Sequence, residues 1–310
     1  MQNRTIPTLH AQTSPDPVQD SRAHREQLDA ASQKIIAGIR ELTASGAWRE
    51  FWKFQGRFHR YSFANTLLIQ LQKPDACRVA GYATWKRFGR HVRPGEQGIG
   101  IFVPLLVRAR PEEGPSGPAA SPPVLPRLVG FKIGHVFDVS QTEGQALPRT
   151  PAVSLAGEDA GLIAALDAFA RQVLRIEIEE RNDLSTPGAN GECQYGADGR
   201  AARIRIRRDN SPRQRAKTRV HEIGHALLHS GGGVPEGNSR AVRELEAESV
   251  AYCVLEHFGL DSGDYSFGYL ALWGRGEEAI PAILASGERI RRTCDRIITW
   301  IEAFYSRSPG

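Results

Sequence analysis

The stretch Arg219-Val-His-Glu-Ile-Gly-His-Ala-Leu-Leu-His229 decides how this chain is read. On an α-helix, side chains four positions apart share a face, so His221 and His225 present two imidazoles that suit one zinc ion. Glu222 lies beside them, placed to take a proton from a water on that ion. Ala216, Val220, Ile223, Ala226, Leu227 and Leu228 supply apolar helix positions, and no Pro interrupts 213–231. Gly231-Gly232-Gly233 then stops the helix. His229 continues the series, but it lies roughly 12 Å along the axis from His221 and cannot join the same ion. The helix dipole favours a cationic imidazole at that end.

Hydrolytic zinc sites use three protein ligands and a water. Residues 239–258 read as a second helix, with Ala247, Val250, Ala251, Val254, Leu255 and Phe258 on its apolar face. Glu244 falls within roughly 50° of the centre of that face, Glu246 roughly 110° away, and Glu248 between them. This selects Glu244 as third ligand to one zinc per chain, with Glu248, one turn on, orienting a ligand histidine. Glu246, directly before Ala247, stays open as the alternative ligand. The ligand set fits peptide-bond hydrolysis, with Glu222 carrying the proton to the leaving amine. Tyr252, Tyr265 and Tyr269 are candidates for stabilising the oxyanion, and the sequence does not separate them.

The chain has 310 residues, a length that suits two domains, and its 40% hydrophobic and 24% charged content is that of a globular protein. No stretch approaches 18 apolar residues, so no membrane partner is expected. The N-terminus lacks the apolar core of a signal peptide, and residues 1–25 read as a disordered tail. Cys77, Cys193, Cys253 and Cys294 are widely spaced, which suggests a reducing, cytoplasmic location.

The net charge of +5 is unevenly placed. Between Trp48 and Arg93, Arg49, Lys53, Arg57, Arg60, Lys73, Arg78, Lys86, Arg87, Arg90 and Arg93 face only Glu50 and Asp75. Trp48, Phe51, Trp52, Phe54, Phe58, Tyr61, Phe63, Tyr82, Trp85 and Phe88 are interleaved with them. Basic side chains hold phosphates and aromatic faces stack unpaired bases, so single-stranded DNA is the expected partner. Arg57, Arg60, Arg78, Trp85, Lys86, Arg87, Arg90 and Arg93 are the candidate contacts. The competing role of these aromatics is the core of a small domain.

Periodicity predicts helices over 25–45, 62–71 and 81–88, then a strand from Ile99 pairing as a long hairpin with 128–139 across a mobile Pro-rich loop at 108–127. Further on it predicts a helix over 159–173, a strand over 174–179, and a second strand over 202–207 after a Gly196–Gly199 turn. Residues 204–207 are expected to be the edge strand that takes a peptide substrate. A last helix spans 287–305.

The run from His221 to His229, followed by Arg243-Glu-Leu-Glu-Ala-Glu-Ser-Val-Ala-Tyr252, resembles the ImmA/IrrE-type metallopeptidases. The resemblance implies a minimal zincin fold, and it places the Glu that opens Glu-x-x-Ala at Glu244. Asn65-Thr66-Leu67-Leu68, Arg78 to Trp85, Val92 to Ile99 and Val136 to Thr142 resemble the N-terminal domain of ArdC-like antirestriction proteins. That likeness implies a single-stranded DNA-binding domain and a role in defence evasion by mobile elements. The Pro-rich insertion in the hairpin departs from that pattern. The expected architecture is therefore α+β, with a DNA-binding domain over 26–146 and a zinc metallopeptidase domain over 151–310. Three functions follow: a zinc endopeptidase coupled to DNA binding in antirestriction, a DNA-occluding protein with a structural or latent zinc site, and a DNA-sensing peptidase that cleaves a repressor.

Overall fold

Ala31, Ile35, Ile39 and Leu42 recur at helical spacing and are all buried, forming the inner stripe of the first helix, α1 (Pro17–Ser45). This is a computed structural model, and it describes residues 17–107, 126–147, 161–231, 239–260 and 277–307. The helix begins at Pro17, inside the stretch 1–25 expected to be a disordered tail. That first part has helix-forming residues and an Arg22–Glu26 pair one turn apart (3.0 Å), but no apolar face for periodicity to detect.

A helix that periodicity did not predict follows. In α2 (Trp48–Arg57), Trp48, Phe51 and Trp52 occupy one face and are buried. They meet Phe63 at the start of α3 (Phe63–Gln72), with Phe51 and Phe63 edge to face at 4.9 Å. Ser62 caps α3 by accepting from the Asn65 amide. The side chain of Asn65 then pairs with both backbone groups of Phe102 (2.9 Å each), fastening α3 to the hairpin.

The chain continues through β1 (Val79–Gly81), α4 (Tyr82–Arg87), β2 (Arg90–Val92), β3 (Ile99–Val107), β4 (Arg127–Asp138) and β5 (Thr142–Gly144). The expected hairpin is present: β3 pairs antiparallel with β4 from Ile99↔Val136 to Val107↔Arg127, with a register shift after Leu105. The sheet order is β1-β4-β3, and β2 and β5 pair separately. Of the loop expected at 108–127, residues 108–125 lie outside the described residues. Asp138 accepts from the amides of Cys77, Arg78 and Ser140, and with Gln141 it forms a capping box at the hairpin's end.

The second half runs α5 (Leu162–Phe169), β6 (Glu177–Arg181), β7 (Gly191–Tyr195), β8 (Ala201–Arg207), α6 (Pro212–Leu228), α7 (Arg240–His257) and α8 (Ile280–Arg307). A π-type turn over Ala170–Leu174 extends α5, so the strand expected from 174 starts at Glu177. The sheet order is β6-β8-β7, with β6 parallel and β7 antiparallel to β8. Residues 204–207 are therefore the centre of the sheet and not its edge. Ile204 and Ile206 are fully buried, while Arg205 is neutralised by Glu192 on β7 (3.4 Å) and Glu179 on β6 (3.7 Å). The outer strand on the α6 side is β7.

The architecture is α+β. One hydrophobic core runs from α1, α2 and α3 through α5, β8 and α6 to α7 and α8, and a smaller one lies beneath the hairpin around Phe54, Phe58, Ile69 and Ile101. Among the described residues, no helix is long and apolar enough to cross a membrane.

Candidate metal centre

Two capped helices carry the centre. Ser211 accepts from the Gln214 amide to start α6, and Ser239 accepts from the Val242 amide to start α7. The helices approach closely at Gly224, where an added Cβ would lie 3.4 Å from the Cα of Ala247. On its far side α6 is held by Arg219, buried and paired with Asp167 on α5 and Glu180 on β6 (2.8 Å each). Local sequence pattern assigns this arginine no role, because both of its partners lie on distant elements.

His221, His225 and Glu244 converge. The two Nε2 atoms are 3.0 Å apart, and Glu244 Oε2 is 3.5 Å from His221 Nε2 and 3.4 Å from His225 Nε2. An ion held at about 2.0–2.1 Å by tetrahedral donors separates them by about 3.3 Å, so this triangle fits one. The far nitrogen of each imidazole is also occupied. Glu248 Oε2 sits 3.1 Å from His221 Nδ1. His229 Nδ1 sits 3.0 Å from His225 Nδ1, and Glu246 Oε2 lies 3.0 Å from His229 Nε2. Glu246, the alternative ligand, is instead buried beneath His229, accepting from Ser286 Oγ (2.5 Å) and from Arg289. His229 thus links the His225 ring to Glu246, a contact periodicity did not suggest.

The electrostatics follow from burial and these contacts. Burial opposes a charge on His221, but Glu244 and Glu248 outweigh it and raise the imidazole to about 10. Hydrogen bonds from His221 and His225 hold Glu244 well below the carboxylate range. Burial pushes Glu222 up to about 7, which suits a group that accepts and returns a proton near neutrality. The edge strand closes over Glu222: a Cβ on Gly191 would lie 3.1 Å from Glu222 Oε1 and 2.5 Å from Thr218 Cγ2.

A cleft of about 540 Å³ opens onto the centre, lined by Gly191, Glu192, Cys193 and Tyr195 of β7 and by His221, Glu222, His225 and Glu244. Burial pushes the Cys193 thiol up to about 12, which leaves it protonated and no nucleophile. Tyr252 does not reach the cleft; it is buried and accepts from Arg49 (3.2 Å). Tyr265 and Tyr269 lie outside the described residues. Tyr195 does line the cleft, and burial raises its phenol, so the hydroxyl remains a donor. A single aromatic at the end of a short strand gave no signal in the sequence.

The candidate DNA contacts divide into two groups. Trp85 is buried, with Nε1 donating to the Phe137 carbonyl (2.9 Å), so it packs the domain and cannot stack on bases. Trp48, Phe51, Trp52, Phe54, Phe58 and Phe63 are likewise buried. Arg90 bonds Thr142 and the Gln145 carbonyl, and Arg93 bonds Glu96. Arg60 pairs with Glu302 at 3.5 Å. Arg57, Arg78, Lys86 and Arg87 remain exposed, and two exposed aromatics, Tyr82 and Phe88, flank the last two.

Residues 25–127 match the family described as the N-terminal domain of anti-restriction factor ArdC, and residues 183–255 match the IrrE N-terminal-like domain. An uncharacterised Bacillus anthracis protein, pXO2-81, is 26% identical over 90% of this chain, which spans about half (52%) of that relative's length. The crystal structures of the antirestriction ArdC protein from the R388 plasmid, metal-free and Mn(II)-bound, have the same fold. Each superposes with a TM-score of 0.52 at 18% identity, over 91% of this chain and 98% of theirs. Residues 25–127 are therefore similar to an ArdC N-terminal domain and residues 183–255 to an IrrE-like domain, in a chain with the fold of an ArdC protein.

Proposed function

We propose that this protein is a zinc-dependent endopeptidase joined to a single-stranded DNA-binding domain, acting in the cytoplasm to protect a mobile element from restriction. The observation that carries the reading is the convergence of His221, His225 and Glu244 with Glu222 alongside in an open cleft. The ArdC of plasmid R388 has been solved with Mn(II), but two imidazoles and one carboxylate are a donor set that zinc favours over manganese. When bound, the ion supplies Lewis acidity to a water and to the scissile carbonyl. Glu222 takes the water's proton and delivers it to the leaving nitrogen. Glu248 and His229 hold the two imidazoles in orientation. An extended peptide adds to the outer edge of β7, and Tyr195 donates to the developing oxyanion. Single-stranded DNA lies on the exposed face of α4, where Lys86 and Arg87 meet phosphates and Tyr82 and Phe88 meet bases.

The test is Glu222→Gln, assayed on an unstructured protein such as casein and in a DNA-protection assay. Hydrolysis should fall by about 10²–10⁴-fold with bound zinc retained. Unchanged cleavage would contradict the assignment of Glu222. Full DNA protection by the inactive variant would replace proteolysis with occlusion of DNA as the mechanism.

A further inference from the structure

A second group of metal-binding side chains lies away from the cleft, on the seam between the two halves. His59 sits in the loop between α2 and α3, His257 ends α7, and Glu302 is on α8. One ligand atom from each lies within 4.8 Å of the other two. Both rings are fixed through Nδ1: Asp295 Oδ1 is 2.9 Å from that of His59, and the Gly56 carbonyl is 2.9 Å from that of His257. This is how metal-ligating histidines are usually held, and each ring keeps Nε2 for an ion.

The His257 contacts call for a positive charge between Nε2 and Glu302 Oε1; the other Glu302 oxygen already pairs with Arg60 (3.5 Å). The Gly56 carbonyl can only accept, so Nδ1 carries the hydrogen, and in the neutral ring Nε2 is a lone pair. That lone pair lies 3.3 Å from Glu302 Oε1, which is also an acceptor. A proton can satisfy one such pair, whereas a divalent ion satisfies His257, Glu302 and the neighbouring His59 together. The position is tightly built. Gly56 permits contact between α2 and α7, since a Cβ there would lie 2.8 Å from the Cys253 carbonyl oxygen. His59 is buried, while Glu302 keeps 31% of its side-chain surface and gives an ion a way in.

We propose that His59, His257 and Glu302 form a second divalent-metal site, of the zinc type, that clamps the loop between α2 and α3 onto α7 and α8. The donor set repeats that of the cleft, two imidazoles and one carboxylate, but none of these three residues lines that cleft, and the site joins the loop after α2 to α7 and α8. It is independent of the peptidase reading.

The experiment uses the full chain carrying His225→Ala and Glu244→Ala, stripped by chelator and titrated with zinc alone in a calorimeter. One zinc should still bind per chain and raise the melting temperature. Adding Glu302→Gln or His257→Gln should remove both effects, and Asp295→Asn should weaken binding by about 10–100-fold. Lys53→Ala, which breaks the nearby pair with Glu256 (3.1 Å), should leave zinc binding unchanged. If His257→Gln loses its fold, Glu302→Gln, at the exposed rim, decides the outcome. Absence of zinc binding in the His225→Ala, Glu244→Ala chain overturns the proposal, as does binding that survives Glu302→Gln.

Discussion

Glu244 and Glu246 stand two positions apart on α7 and do different work. Glu244 faces two imidazoles across the cleft, whereas Glu246 is buried against His229, Ser286 and Arg289. Removing Glu246 breaks a buried charged network, so Glu246→Ala should lose about 3–5 kcal/mol of stability in chemical denaturation. It should still bind zinc at the cleft, weakened about 10–100-fold through His229 and His225. Glu244→Ala should lose that zinc altogether, and the reverse order would hand the ligand role to Glu246. Proton linkage gives a second expectation. His221 is raised from 6.5 to about 10 in the metal-free protein, so its contribution to stability is complete below about 6.5 and is lost as pH rises through about 10. Glu222, raised from 4.5 to about 7, likewise stabilises below 4.5 and ceases to do so as pH passes about 7. Metal-free stability should therefore decline from mildly acid to alkaline pH. Zinc must displace the His221 proton, so its affinity should climb about tenfold per pH unit between pH 7 and 9. A flat affinity profile in calorimetric titrations across that range would contradict the assignment. The two imidazoles and Glu222 were legible in the sequence because helical spacing is local. The fate of Glu246 was not, because Ser286 and Arg289 follow it by 40 and 43 positions.

At the level of elements, the long helices and the hairpin were readable, and the errors share one cause: partners that come from elsewhere in the chain. The alternation of Arg203, Arg205 and Arg207 with apolar residues does not by itself separate a central strand from the edge expected at 204–207. In the fold Arg203 and Arg205 pair with Glu179, and Arg207 donates to the Ala189 carbonyl, so β8 is central and β7 takes the edge. Residues 191–195 carry no clear alternation and owe their place to the closeness of Gly191 to α6. In α2, Trp48, Phe51 and Trp52 stand at the spacing of a buried helix face, yet their basic neighbours left a role as stacking platforms open beside a role in the core. The segments that carry the ArdC likeness are largely structural: Asn65 clamps β3, Asp138 and Gln141 cap the hairpin, and Thr142 accepts from Arg90 to tie β5 to β2.

For the whole molecule, the core that runs from α1 to α8 joins the two halves, so the domain division at about 146–151 remains a proposal about function more than about packing. Within the first half, the fold uses Arg90, Arg93 and Trp85 internally and leaves Lys86 and Arg87 on the exposed face of α4. Replacing Lys86 and Arg87 with Ala should weaken binding to single-stranded DNA. It should also lower the slope of log affinity against log salt by about 0.7 for each charge that contacts phosphate. An unchanged slope would move the DNA surface elsewhere. The proposed function turns on one ion at the junction of α6 and α7, and the most direct measurement is an anomalous difference map at the zinc edge from crystals of the zinc-loaded protein. A peak is expected about 2.0–2.2 Å from His221 Nε2, His225 Nε2 and the Glu244 carboxylate, with Glu222 beside it. No peak among those three side chains, or one ligated by Glu246 in place of Glu244, would contradict it.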